Sequence, residues 1–168
     1  LWITLSLLII ASGYARATPD VFRKTSSGNF QFCAWALLLP FICTRRLCHY
    51  ILTRRHRHPI HIGALHLHAW PGPDNPHMAT LDLCAELPAR GPHIHYCHIP
   101  MLDLVAPSAH TIEQATKAIE HLHQHNGKIH IHCALGQERS AIIAAAWLIH
   151  TGQASCTTTA ISLVMTAH

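Results

Sequence analysis

This sequence is poor in charge. Asp, Glu, Lys and Arg together make up 12% of the chain, against about 25% in an ordinary soluble domain. Set beside 49% apolar residues, that shortfall suggests contact with a membrane. Regular cysteine spacing is also absent. The seven Cys are odd in number and irregularly placed, which argues against a disulfide framework and for reduced thiols in a cytoplasmic compartment. No HExxH or CxxC string occurs, and there is no internal repeat or low-complexity linker. The chain begins at Leu1, not Met, so its apolar start is expected to be the tail of a longer span. A secretory signal is the rival reading, but it wants a basic N-terminal region, and none is visible.

With 168 residues, the chain suits one domain plus something extra. Residues 1–14 (LWITLSLLIIASGY) and Phe30 to Cys43 (FQFCAWALLLPFIC) are two apolar segments. Each is shorter than the roughly 20 residues of a spanning helix, and Pro40 should kink the second. A membrane hairpin is expected, with a buried or interfacial helix as the alternative. Five of the 12 Lys and Arg residues follow at once, as Arg45, Arg46, Arg54, Arg55 and Arg57. The positive-inside rule keeps this window cytoplasmic, where it can meet anionic lipid heads. It lacks the interleaved aromatics and fold motif of a nucleic-acid site, so no nucleic-acid partner is expected. The division predicted is 1–58 as an anchor with a basic juxtamembrane stretch, and 59–168 as the working domain.

From Pro59 onward the pattern is one of short strands and helices. Strands are predicted within Ile60–Trp70, Met78–Cys84, His93–Met101 and Lys128–His132. A turn cluster lies at Pro71 to Pro76. A helix starts near Ser108 or Thr111, with Gln114 placed for a capping box, and ends at Asn126-Gly127. Its face is Ile112, Ala115, Ile119 and Leu122. A second helix, Arg139 to His150, is apolar all round and should be buried centrally, and a last one covers Thr157 to Ala167. The fold class expected is α/β: a central, mostly parallel sheet flanked by helices, preceded by the apolar helical hairpin.

The chemistry is concentrated between Lys128 and Leu148. A strand ends in Cys133, a loop follows, and a helix begins near Arg139 and Ser140. A thiol acts as a nucleophile only as thiolate, and a loop at a helix N-terminus favours anions. The backbone amides of Ala134, Leu135, Gly136, Gln137, Glu138 and Arg139 can cradle phosphate oxygens as a nest of successive N–H groups does. The Arg139 guanidinium can bond two oxygens with its planar fork. Gly136 lets the loop turn, Ser140 can donate to the sulfur as it leaves, and His132 can orient the loop. Glu138 is the discordant residue, because a carboxylate beside a dianion should repel it.

The string His132-Cys133-Ala134-Leu135-Gly136-Gln137-Glu138-Arg139-Ser140 resembles the HC-x5-RS signature of cysteine-dependent phosphatases, and more narrowly the dual-specificity phosphatase family. Together with Leu81-Asp82-Leu83-Cys84-Ala85-Glu86 and the stretch from Pro100 to Ser108, it is similar to a bacterial, membrane-anchored branch of that family. The resemblance covers most of residues 59–168. It implies that Cys133 attacks phosphorus to form a cysteinyl-phosphate. It also implies that Asp103, 30 residues earlier, protonates the leaving oxygen and then activates water, and that Arg139 binds the phosphoryl oxygens. Asp82 and Glu86 are the rival acids. The substrate implied is a phosphorylated protein or a phospholipid headgroup, at a membrane, with no cofactor.

Two other readings stand beside the enzyme. Glu138, with the chain ending at His168, favours a catalytically impaired phosphate-binding module that recruits a phosphorylated partner. The 18 His raise a His-rich metal-binding protein. His56, His58 and His61, His66 and His68, His93, His95 and His98 with Cys97, and His121, His123 and His125 all look like ligands. Residues i and i+2 share a strand face, so pairs could chelate. Lacking a ligand motif, they are read as half-buried surface positions, and no metal site is assigned.

Overall fold

The computed structural model describes residues 1–54, 59–71, 77–90, 95–125 and 127–167. Arg55, Arg57, His56, His58, His93, Gly91, Asn126 and the turn-cluster residues 72–76 lie outside the described residues.

The element order is α1 (Trp2–Ala15), a 3-10 turn (Pro19–Phe22), α2 (Phe32–Thr53), β1 (Ile60–Ile62), β2 (Leu65–Ala69), β3 (Ala79–Cys84), β4 (Tyr96–Met101), α3 (Ala109–His125), β5 (Ile129–Cys133), α4 (Glu138–His150) and α5 (Thr157–Thr166). One five-stranded sheet runs β1-β2-β5-β3-β4. β2, β5, β3 and β4 are mutually parallel, and the short β1 pairs antiparallel with β2. The sheet is therefore mixed but mostly parallel. β3 and β5 are buried along their whole length, as central strands of a parallel sheet must be.

Alternation on β5 divides its two faces. Ile129 and Ile131 point into the main core with Leu65, Leu67, Leu81 and Leu83. α3 and α4 close that core, the first through Ala115, Ile119 and Leu122, the second through Ile143, Ala144, Trp147 and Leu148. The apolar sequence of α4 has its reason here: it contacts β2, β5, α3 and α5 at once. Ser108 caps α3, accepting from the Thr111 amide at 3.1 Å, which satisfies one of the free first-turn donors.

The two N-terminal helices pack on each other and on the sheet's carboxyl-end loops. Phe22, Phe30, Ala34, Leu38 and Ile42 share one cluster with Ala85 after β3 and Leu102 after β4, and Trp2 Nε1 donates to the Ala36 carbonyl at 3.0 Å. The spanning expectation is corrected at this point. Among the described residues, no helix is long and apolar enough to cross a membrane. α1 has 14 residues, about 21 Å of helix against a hydrocarbon layer of about 30 Å. α2 has the length, with 22 residues, but carries Arg45, Arg46 and His49. These arginines are not held out for lipid: Arg46 lies 5.5 Å from the Trp35 ring and 5.7 Å from the Trp70 ring, and Arg45 turns toward the end of β4.

Candidate active site

The carboxyl ends of β3, β4 and β5 converge on one place, where open α/β sheets bind ligands. β5 delivers Cys133, buried to 2% exposure. Its carbonyl accepts from the Trp70 amide at 2.9 Å, and the next carbonyl, of Ala134, accepts from the same amide at 3.0 Å. This secures the start of the loop to the end of β2. Gly136 has φ +74°, and a Cβ there would stand 2.5 Å from the His68 carbonyl carbon and 2.6 Å from the Ala69 nitrogen. The loop can lie this close to β2 only without a side chain.

Two of the predicted partners of Cys133 stand at the start of α4. Ser140 Oγ is 3.5 Å from Cys133 Sγ, both buried. Arg139 is 1% exposed and fully engaged at its terminal nitrogens. Nη2 donates to Glu86 Oε1 at 2.6 Å and Nη1 to Oε2 at 2.8 Å, a bidentate fork. Nη1 also donates to the Met101 carbonyl at 2.9 Å, and Nη2 to Asp103 Oδ1 at 3.0 Å. Its Nε is buried without a hydrogen-bond partner. A buried donor left unpaired costs about 1–3 kcal/mol, so Nε is the donor that a phosphoryl oxygen would satisfy. Burial opposes the guanidinium's charge, but the hydrogen bonds and charge of Glu86 outweigh it and hold Arg139 firmly protonated.

Asp103 follows β4, and the next residue, Leu104, sits at φ +59°, a backbone region that non-glycine residues rarely occupy. The Asp103 carboxylate bridges two cations, Arg139 at 3.0 Å and Arg45 of α2 at 2.5 Å. Arg45 Nη2 also reaches Glu86 Oε1 at 3.2 Å. The result is a quartet of alternating charge, Arg45, Glu86, Arg139 and Asp103. Burial pushes the Glu86 carboxyl up, but Arg139 and Arg45 draw it below its usual range. Tyr14 of α1 lies in the same field: burial, then the carboxylates of Glu86 and Asp103, push its phenol up.

The rival acids separate clearly. Asp82 is wholly buried beneath Lys24 Nζ and Tyr96 OH, each at 2.6 Å, and accepts from the Cys84 amide at 2.8 Å. Burial raises its pKa, but the His132 imidazole and the Lys24 ammonium outweigh that and hold it at about 2. Glu86 is bound to Arg139. The Asp103 side chain, at 22% exposure against 0% for Asp82 and 1% for Glu86, is the most open of the three. Of the loop residues, Ala134 and Gly136 are buried, Leu135 is half-buried, and Gln137 and Glu138 are exposed. Glu138 is the first residue of α4.

Sequence reasoning missed two members of this site. Glu86 stood only as a rival acid, although a buried loop arginine requires a carboxylate partner. Arg45 was assigned to a juxtamembrane stretch, and nothing local links it to Asp103.

The family described as dual specificity phosphatase, catalytic domain, matches residues 77–167. No curated protein matches the chain. Among solved structures, Tk-PTP in its active form is 22% identical, covering 66% of this chain and 84% of its own, with a TM-score of 0.54. Human DUSP28 is 17% identical over 64% of this chain and 80% of its own, TM-score 0.55. PTPMT1 in complex with PI(5)P is 18% identical over 65% and 81%, TM-score 0.51. At these identities the structures speak for the fold. The family match spans more than half of the chain and contains Cys133, Arg139, Ser140, Asp103 and Glu86. The chain therefore belongs to the dual-specificity phosphatase catalytic-domain family.

Proposed function

We propose that the chain hydrolyses phosphomonoesters through a cysteinyl-phosphate. The observation that carries this is the buried Arg139, forked onto Glu86 with its Nε unpaired, beside a Cys133–Ser140 contact of 3.5 Å. The Cys133 thiolate attacks phosphorus as the bond to the ester oxygen breaks, and the protonated Asp103 carboxyl gives its proton to that oxygen. Arg139 Nε and the loop amides take the phosphoryl oxygens. In the second half, the Asp103 carboxylate takes a proton from water, whose oxygen bonds phosphorus as the S–P bond breaks. Ser140 donates to the departing sulfur. Phosphate entry requires Arg139 Nη2 to exchange Asp103 for substrate.

The test is hydrolysis of p-nitrophenyl phosphate by wild type, Cys133→Ser and Asp103→Ala. Wild type should turn over, Cys133→Ser should not, and Asp103→Ala should be slowed, less than on an alkyl phosphate whose leaving group needs the proton. Wild-type turnover no greater than that of Cys133→Ser sinks the enzyme reading. Retained binding of a phosphopeptide by that inert protein then supports a recruiting module, a reading favoured by the engagement of Asp103 with two guanidiniums.

The second part of the proposal is place and substrate. Ile3, Leu7, Leu8, Phe32, Leu47 and Ile51 of the helix pair are exposed, and a surface of this kind suits a lipid interface. All seven cysteines are free, in keeping with a reducing compartment. We therefore read the protein as bound at a membrane face with its catalytic unit on the cytoplasmic side, similar to the bacterial membrane-anchored branch. Its substrate would be a phosphoprotein or a phospholipid headgroup, the latter a ligand that PTPMT1 carries in its solved complex. Flotation with phosphatidylcholine–phosphatidylserine vesicles tests the attachment: wild type should float, and Leu7→Ser/Leu8→Ser should not. Failure of wild type to float removes this part and leaves the chemistry standing.

A further inference from the structure

We propose that His66, His68 and His130 form a binding site for a divalent transition-metal ion of the imidazole-preferring class, foremost Zn2+. The three are brought together by pairing across the sheet. His66 and His68 share one face of β2, and the parallel register sets His66 opposite His130 of β5. One nitrogen from each of the three lies within 4.8 Å of the others. Two ligands of a tetrahedral zinc stand about 3.3 Å apart at zinc–nitrogen bonds of about 2.05 Å. Side-chain rotation of roughly an ångström closes the cluster onto an ion.

A second observation, independent of the spacing, points to a ligand. His130 is 3% exposed, yet neither of its ring nitrogens has a hydrogen-bond partner, and neither does Nε2 of His68. Buried polar atoms are nearly always paired, and the remedy common to these three is a shared ion. The rings already face one another, with centroids 4.5 Å apart for His68 and His130 and 5.2 Å for His66 and His130. His61 of β1, its ring 4.2 Å from that of His66, stands next in the same cross-strand row, exposed at the rim and outside the group of three. Imidazole donors without thiolate or carboxylate suit Zn2+, Cu2+, Ni2+ and Co2+ over Mg2+ and Ca2+.

The site lies behind the catalytic loop. His68 precedes Ala69, which is paired with Cys133, and the His68 and Ala69 backbone is what Gly136 packs against. An ion here ties β2 to β5 at the base of the loop and takes no part in phosphoryl transfer.

The experiment uses the full chain, stripped with chelator and titrated with Co2+ and Zn2+. One equivalent of Co2+ should bind with the intense visible bands of tetrahedral nitrogen ligation, and Zn2+ should displace it. Saturating Zn2+ should raise Tm by about 5 °C or more. His66→Gln/His68→Gln should lose both effects, while His110→Gln/His150→Gln, at exposed helix positions, should keep them. If the double variant does not fold, His66→Gln alone, at a half-buried strand position, should bind at least tenfold more weakly. Absence of a tetrahedral band, a thiolate-to-cobalt band in its place, or unchanged binding by the His66 variants overturns the site.

Discussion

Arg45 of α2 and Asp103 after β4 form an ion pair at 2.5 Å, and the other oxygen of that carboxylate is held by Arg139 at 3.0 Å. The N-terminal helix pair thus supplies a side chain to the quartet of alternating charge, besides covering the carboxyl-end loops. Arg45 stays charged within it: burial works against the guanidinium, and the carboxylates of Glu86 and Asp103 more than compensate.

Arg45 fixes where the Asp103 side chain stands, so Arg45→Met should lower kcat by roughly tenfold through misplacement of the acid on substrates with a poor leaving group, where general acid catalysis contributes about 10²–10⁴-fold. On p-nitrophenyl phosphate the loss should be smaller, because that leaving group scarcely needs a proton. Steady-state kinetics on an alkyl and an aryl phosphate read the difference. Equal losses on both would show that Arg45 does not act through Asp103.

Glu86→Gln removes the anionic half of the fork on Arg139. Breaking a buried pair from one side leaves an uncompensated charge, so unfolding in urea should show a loss of about 3 kcal/mol. KM for any phosphomonoester should rise as the guanidinium loses its orientation. A stable variant with unchanged KM would separate the fork from substrate binding.

Asp82 carries a pH dependence. Its folded pKa, about 2 against 3.8 ordinarily, is depressed, so the unfolded chain binds the proton more readily. The stabilisation is present above about pH 4 and is lost as pH falls toward 2, with a magnitude of about 2 kcal/mol. Asp82→Asn should be less stable than wild type by that order at pH 7, and the gap should narrow by pH 3. A gap of the same size at both pH values contradicts the assignment.

Gly136→Ala adds a methyl carbon 2.5 Å from backbone atoms of β2 at a positive φ. The left-handed conformation alone costs about 1–2 kcal/mol, and backbone neighbours cannot step aside as a flexible side chain would. The loop must shift, and kcat/KM should fall roughly 100-fold, the usual penalty for misplacing reacting groups by an ångström. An active, stable variant would mean that the loop can be held without this close approach.

Glu138 is exposed at the first turn of α4, where solvent screens its repulsion of a dianion. Glu138→Ser should raise kcat/KM only about twofold, at the cost of a few tenths of a kcal/mol of helix stability from the lost charge–dipole contact. A tenfold gain would place the carboxylate in the loop's interior.

How much of this was legible varies from residue to residue. Cys133, Gly136, Arg139 and Ser140 are contiguous, so one strand-loop-helix segment sets their relationship, and their order along the chain displays it. The apolar girth of α4 likewise announced a helix with neighbours on every side. The amphipathic α3 and the alternating strands followed from period alone. Glu86 lies 53 residues from Arg139, and Arg45 lies 58 from Asp103. No local pattern encodes such a pairing, because it arises from which strand ends meet and where the helix pair lands. The apolar N-terminal segments misled for a related reason: hydropathy records that a surface avoids water, but not whether protein or lipid covers it.

The sequence by itself determined the strand-loop-helix segment around Cys133, the α/β class and the boundary at which strands begin, since these depend on neighbours within a few residues. Only the tertiary structure decided which carboxylate faces the loop arginine, that an N-terminal arginine completes the quartet, and that His130 joins His66 and His68. The physical reason is the same in each case. Buried charges and imidazoles are defined by their partners across space, and the β2-β5-β3-β4 order, not the chain order, chooses those partners.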